Sequence, residues 1–258
     1  MDILGDRMKS YEAVEASRKL NDTLPVMVRL DGKAFHSWTK GLERPFCSWL
    51  SDAMIETTEF LINETGATIG YTQSDEISLV LVKPNENSQL WYDGKIQKIT
   101  SVTASLATAK FNAIVARQGV NRLACFDSRV WNVPSFSEAS NTILWRFYDC
   151  VKNSVSMLAS CHFSCKQLHG KNTDDKINML NEIGVSWFDL LPQYRYGTLL
   201  LRKLKLVELS DEQLAKVPES KRPAGPIERH VIVKMPLDFR DLNNREYIFS
   251  ELEGERHE

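Results

Sequence analysis

The stretch Thr68-Ile69-Gly70-Tyr71-Thr72-Gln73-Ser74-Asp75-Glu76-Ile77-Ser78-Leu79-Val80-Leu81-Val82 reads as two strands joined by a tight polar turn. Thr68–Tyr71 is one strand, Gln73–Glu76 the turn and Ile77–Val82 the second strand, with Pro84 closing the hairpin. Upstream, Cys47–Glu64 carries Trp49, Leu50, Ala53, Met54, Thr57, Phe60 and Leu61 at three-and-four spacing, which predicts a helix ended by Gly66. Before it, Pro25–Leu30 is a short strand running into Asp31-Gly32, where Gly32 marks a turn with close backbone approach. Downstream, Lys95–Arg117 repeats the helical pattern through Ile99, Val102, Leu106, Ala109 and Ala113, and Cys125–Val133 is a strand stopped by Pro134. The order strand, helix, strand, turn, strand, helix, strand predicts an α+β fold: an antiparallel, ferredoxin-like sheet with helices on one face.

Outside this unit, Asp6–Leu20 is charged and helix-compatible, and Asn141–Leu168 reads as one long helix followed by a polar segment over His169–Asp175. Tyr196–Leu201 and His230–Met235 are strand-like. Lys216–Pro226, with three prolines, reads as a flexible loop, and the tail from Glu251 as charged and frayed. No linker divides the chain, so residues 1–258 are expected to form a single catalytic domain elaborated from about residue 136 onward.

The bulk properties exclude several classes. At 43% hydrophobic and 26% charged residues, the chain has the composition of a soluble globular protein. Five scattered cysteines suit a reducing cytosol better than a disulfide framework. No secretory signal and no apolar run near 20 residues is visible, so the expectation is a cytoplasmic protein with no membrane span. A net charge of −2 neither favours nor excludes nucleic acid, because binding depends on how charge is distributed.

Chemistry concentrates at two carboxylates. Asp31 ends the first strand and Asp75 lies in the hairpin turn, so the topology can bring both to one sheet edge. Hard divalent ions take oxygen ligands, and paired ions held by shared carboxylates serve phosphoryl chemistry. Gly32 offers an unobstructed carbonyl, and Glu76 is either a further ligand or a supporting group. On residue types alone, a solvated Asp-Gly turn or a paired-carboxylate acid–base site fits equally.

The surrounding wording narrows this. Val28-Arg29-Leu30-Asp31-Gly32-Lys33-Ala34-Phe35-His36, Tyr71–Ser78, Phe126-Asp127-Ser128-Arg129-Val130 with Pro134-Ser135, and Tyr194-Arg195-Tyr196-Gly197-Thr198 occur in order. They resemble the RLDGxxFH, GQSDE, FDGRV…PS and YRKGT motifs of the tRNA-histidine guanylyltransferase family. The resemblance spans roughly residues 6–201. It implies a polymerase-palm fold and 3′→5′ nucleotide addition: ATP or GTP activates an RNA 5′ end, and the 3′-hydroxyl of an incoming nucleoside triphosphate then attacks it. It further implies two Mg²⁺ ions on Asp31, the Gly32 carbonyl and Asp75, with Glu76 beside them. Lys33, Ala34, Phe35, His36 and Ser74 would line the nucleotide, Arg44 would assist activation, and tRNA would be the partner of a homotetramer.

Lys95 and Lys98, one turn apart at a helix start, are placed to meet a triphosphate, and Asn153 offers an amide to a phosphate or sugar. Cys161, Cys165 and His169 fall on one helical face and read as core packing rather than zinc ligands; the six tryptophans read mostly as core. Two departures refine the resemblance. Asp149–Ser156 keeps only the preceding Asp-Cys and one Asn of the HINNLYN segment, which is closer to the Thg1-like proteins that repair 5′-truncated tRNAs. Tyr196 stands where the motif has Lys. A tRNA-histidine guanylyltransferase proper, a palm-fold nucleotide cyclase and a non-catalytic RNA-binding module are the competing readings.

Overall fold

A computed structural model describes residues 3–83, 85, 87–236 and 238–254, so Pro84, expected to close the hairpin, lies outside the described residues. The strands are β1 Val26–Gly32, β2 Ile69–Gln73, β3 Glu76–Leu81, β4 Phe126–Asn132, β5 Thr198–Val207 and β6 Ile227–Met235. The helices are α1 Ile3–Ala16, α2 Phe35–Trp38, α3 Ser48–Thr65, α4 Ile96–Arg117, α5 Phe136–His162, α6 Cys165–Leu168, α7 Thr173–Glu182, α8 Pro192–Tyr196, α9 Asp211–Ala215 and α10 Leu242–Gly254.

The strands form one six-stranded antiparallel sheet in the order β4-β1-β3-β2-β5-β6. Its first four strands have the expected ferredoxin-like arrangement. Alternation along β1 builds two cores. Val26, Val28 and Leu30 pack with Met54, Leu61 and Ile62 of α3 and Phe111 and Val115 of α4. Met27 faces the other way and packs with Ile143, Phe147 and Val155 of α5. The C-terminal helices therefore cover the second face, because Met27, Ile69, Tyr71 and Leu199 make it too apolar to stand in water.

Several local expectations change. Ile96–Arg117 has the length and mean hydropathy of a bilayer-spanning helix, although Gln97, Lys98 and Lys110 interrupt its apolar residues; it packs on α3 and β4. The long C-terminal helix is two: Phe163 is extended, and Ser164 with Gln167 forms a capping box that starts α6. Part of the polar segment is helical, since Asn172 caps α7 with Asp175. Tyr196 ends α8 rather than opening a strand, and β5 continues to Val207 because β6 extends alongside it. The proline loop contains a 3-10 turn, Glu219–Lys221. The backbone from Glu251 to Gly254 continues α10; residues 255–258 lie outside the described residues. Cys161 and Cys165 are exposed on separate helices, not core. Trp145 is also exposed, at 53%.

Candidate active site

The site forms where β1 ends against the β2–β3 turn. Register places Asp31 directly between Asp127 of β4 and Glu76 of β3, and directly opposed residues share a sheet face. Two residues earlier, Arg29 lies between Arg129 and Ser78 on that face. A row of three carboxylates therefore lies beside a row of arginines. The chain closes on this row through the Gly32 amide, which donates to the Asp75 carbonyl at 3.1 Å and draws the turn against β1.

Two non-glycine residues in the left-handed region form the backbone corners here: Ala34, after β1, and Ser74, in the turn, at φ 53° and 51°. Such conformations cost on the order of 1 kcal/mol each and persist where the surroundings impose them. Gly32 differs from its expected role. It is the last strand residue, and a Cβ there would lie 2.2 Å from the Phe35 ring. Its glycine is required by close packing, not by a turn. Phe35 itself is buried against Trp38, Phe111 and Phe126.

The carboxylates differ in their charge partners. Asp127 meets Arg129 at 3.4 Å on the surface. Glu76 is buried and held by Arg146 in a two-bond fork, both at 2.6 Å. Arg146 also donates to Asp149 at 2.9 Å, and Asn153 donates to the same Asp149 oxygen at 3.1 Å. Among the described residues, no cationic side chain pairs with Asp31 or Asp75. Burial first, and the neighbouring Asp31 charge second, push the Asp75 carboxyl above its usual range. Burial also raises Glu76, opposed by the Arg146 hydrogen bonds. No cluster of three or more His, Cys, Asp or Glu among the described residues forms a metal cage. Two unneutralised carboxylates beside the Gly32 backbone fit Mg²⁺ instead, which takes a few protein oxygens and completes its shell with water and phosphate.

Next to the carboxylates lies a cavity of about 490 Å³, the size of a nucleotide site. Phe35, His36, Arg44, Ser74, Asp75 and Asn153 are among the residues that line it. Lys33 and Ala34 sit in the adjoining turn; the Lys33 amide donates to the Cys125 carbonyl at 2.8 Å. Its apolar side includes Phe46 and Tyr194, whose rings stack at 4.6 Å and 4°.

Lys95 and Lys98 do not line this cavity. The Phe126 amide, beside Gly32, bonds to Thr108 of α4. Lys98 and Lys95 lie ten and thirteen residues earlier, about 15 and 20 Å of helical rise away. Lys98 instead lies 5.6 Å from the Tyr92 ring centre. Asn153 is exposed, with Asp149 as its partner. Tyr196 is buried, and its hydroxyl accepts hydrogen bonds from Arg195 at 3.1 Å and Arg240 at 2.8 Å, tying the segment before α10 to the sheet. Sequence reasoning missed Arg146, Asp149 and Tyr194. The available signal was a cation on the apolar stripe Ala139, Ile143, Phe147, Cys150, since a buried arginine requires an acidic partner.

The chain is similar to known proteins in sequence and in fold. The family model described as Thg1, tRNAHis guanylyltransferase, matches residues 5–134. A bacterial tRNA(His) guanylyltransferase-like protein solved in complex with ATP is 32% identical, with a TM-score of 0.78 over 96% of this chain and 98% of that one. Such a protein solved with GTP is 31% identical, with a TM-score of 0.77 over 97% and 99%. An uncharacterized protein, R259, of Acanthamoeba polyphaga mimivirus is 29% identical over 78% of this chain and 77% of its own length.

Proposed function

The chain belongs to the tRNAHis guanylyltransferase family, and on that premise we propose that it extends tRNA 5′ ends in the 3′→5′ direction against a template, with ATP or GTP activating the end in the cavity beside Asp31 and Asp75. As a member it is a nucleotidyltransferase of tRNA, and nucleotidyl transfer in this family is metal-dependent. The observation that carries the reading is an unneutralised aspartate pair, Asp31 and Asp75, of which Asp75 lines a nucleotide-sized cavity.

Asp31, Asp75 and the Gly32 carbonyl would hold two Mg²⁺ ions. Bound there, the ions neutralise phosphate charge and lower the pKa of an attacking hydroxyl. Arg44, Ser74 and Asn153 bind the phosphates, His36 contacts the nucleotide, and the Phe46–Tyr194 stack gives a base a sequence-tolerant platform. Glu76 supports the site through Arg146 rather than acting as a free carboxylate. A triphosphate meeting Lys95 and Lys98 belongs to a second nucleotide or to the RNA, because the cavity does not reach them. The degraded HINNLYN segment, Asp149–Ser156, supports 5′-end repair over dedicated tRNA-histidine modification. We place the protein in the cytoplasm as a homotetramer; the exposed apolar side chains Ile3, Leu4, Tyr11 and Val14 of α1 support burial in an assembly.

The test is incubation of the protein with Mg²⁺, nucleoside triphosphates and a panel of 5′-truncated and intact tRNAs, followed by 5′-end sequencing. Template-matched additions to truncated tRNAs are expected. A cyclic nucleotide formed without RNA, or no addition to any tRNA, overturns the proposal; untemplated guanosine on tRNA-histidine alone redirects it to that narrower activity.

A further inference from the structure

Arg146 is buried, yet it lies within hydrogen-bonding reach of both parts of the site. Its guanidinium makes three hydrogen bonds: two to Glu76, which neighbours Asp31 in the sheet, and one to Asp149. Asp149 in turn holds the side-chain amide of Asn153, which lines the cavity. Behind the guanidinium, the Trp145 ring lies 4.5 Å from its carbon, and Arg29 approaches the same ring at 5.3 Å. One rigid cation thus connects the carboxylate row to the nucleotide cavity along a continuous path, Glu76–Arg146–Asp149–Asn153.

The charges give this path a consequence. Glu76 stands in the same cross-strand row as Asp31. Without a partner it would be a third free carboxylate beside Asp31 and Asp75, and three unneutralised charges would repel one another and recruit cations in another arrangement. Arg146 bonds both Glu76 oxygens and sets a full positive charge against them, so a cation at the row gains less from Glu76 than from Asp31 and Asp75, which pair with no cationic side chain among the described residues. Lysine at this position keeps the charge but loses the planar fork that engages two oxygens and Asp149 together.

Resting on the proposed nucleotide and metal site, we infer that Arg146 is a positioning residue: it withholds Glu76 from the cations, leaving them to Asp31 and Asp75, and through Asp149 it aims Asn153 at the nucleotide. One residue thereby couples cation binding to nucleotide binding.

The test measures binding by the full-length protein, with Mn²⁺ titrated by its electron paramagnetic resonance signal, ATP by equilibrium binding and folding by thermal melts. Wild-type protein that binds neither probe overturns the site assignment itself, separately from the role of Arg146. Given wild-type binding, the double variant Arg146→Met with Glu76→Leu replaces the ion pair by an apolar pair, a change that buried pairs often tolerate. It is expected to fold and to lose about tenfold in ATP affinity, because Asp149 no longer has the guanidinium that holds it. With Glu76 gone no third carboxylate competes, so its Mn²⁺ affinity should stay near the wild-type value, whereas Arg146→Lys, which leaves Glu76 partly free, should weaken Mn²⁺ binding by about tenfold. Asp149→Asn breaks only the second arm, so ATP affinity should fall while Mn²⁺ affinity stays at the wild-type value. A folded double variant that binds both probes as wild type does overturns the inference and leaves the pair a structural one. If the double variant does not fold, Arg146→Lys decides: weakened Mn²⁺ and ATP binding in a folded protein supports the coupling, and unchanged values for both refute it.

Discussion

The two sides of β1 place opposite demands on one strand. Val26, Val28 and Leu30 point into a dry core beneath α3 and α4, each with no measurable exposure. Met27, Arg29 and Asp31 point to the side that α5 covers, where the apolar contact of Met27 gives way to charge within two residues. The first side obtains stability from burial, at roughly 25 cal/mol per Å² of apolar surface. The second tolerates carboxylates side by side, a cost in the free protein that becomes an attraction for cations. Substitutions on the two sides should therefore fail differently: one set through folding, the other through chemistry.

The largest separation is expected at neighbouring residues. Asp31→Asn should fold normally and lose activity by at least about a thousandfold, since the interactions at stake amount to several kcal/mol. Leu30→Ala should destabilise by about 2–5 kcal/mol while the site chemistry survives. Urea melts and single-turnover extension assays on both variants measure the contrast; a destabilised Asp31→Asn or a stable, inactive Leu30→Ala would erase it. Gly32→Ala links the two sides. A Cβ 2.2 Å from the Phe35 ring forces the ring or the strand to move, so stability and activity should fall together by about 1–3 kcal/mol in the melt. A wild-type melt would show that the Phe35 ring yields freely.

The smallest effect is the reverse of the usual mutational outcome. Asp75 titrates above the normal carboxylate range, through burial and then through Asp31. A folded pKa above the unfolded one means that the stability contributed by the protonated form is fully present below the unfolded value and lost as pH rises through the folded one. Asp75→Asn should therefore raise the melting temperature of the metal-free protein by a few degrees at pH 7, with the advantage vanishing in acid, while extension activity is lost. Melts in chelator at both pH values test this; a lower melting temperature at pH 7 would mean that the carboxylate contributes an interaction beyond its charge.

Much of the palm was legible because each signal is short in range. The short apolar runs around Ile69 and Ile77, three-and-four spacing in Ser48–Thr65, and the stop at Gly66, left-handed at φ 71°, are all set within a few residues. The long helix was misread for a similarly local reason: Ser164 and Gln167 cap a new helix, a signal that the apolar pattern running through it outweighed. The extent of β5 was not legible, because Lys203–Val207 is held in the sheet by β6, whose partners Ile227–Val231 lie twenty to twenty-eight residues later.

By itself, the sequence determined the order of most strands and helices, the carboxylates Asp31 and Asp75, and the resemblance that makes them candidates for a metal site beside a nucleotide. Periodicity and motif are properties of neighbouring residues. Only the tertiary structure decided which carboxylates remain unpaired, that Glu76 is bound by an arginine seventy residues away, that Lys95 and Lys98 stand outside the lining of the cavity, about 15–20 Å along α4 from Thr108, and that Tyr196 fastens the C-terminal segment. Charge pairing and cavity shape depend on which distant side chains the packed sheet brings within a few ångströms, and no local pattern encodes that distance.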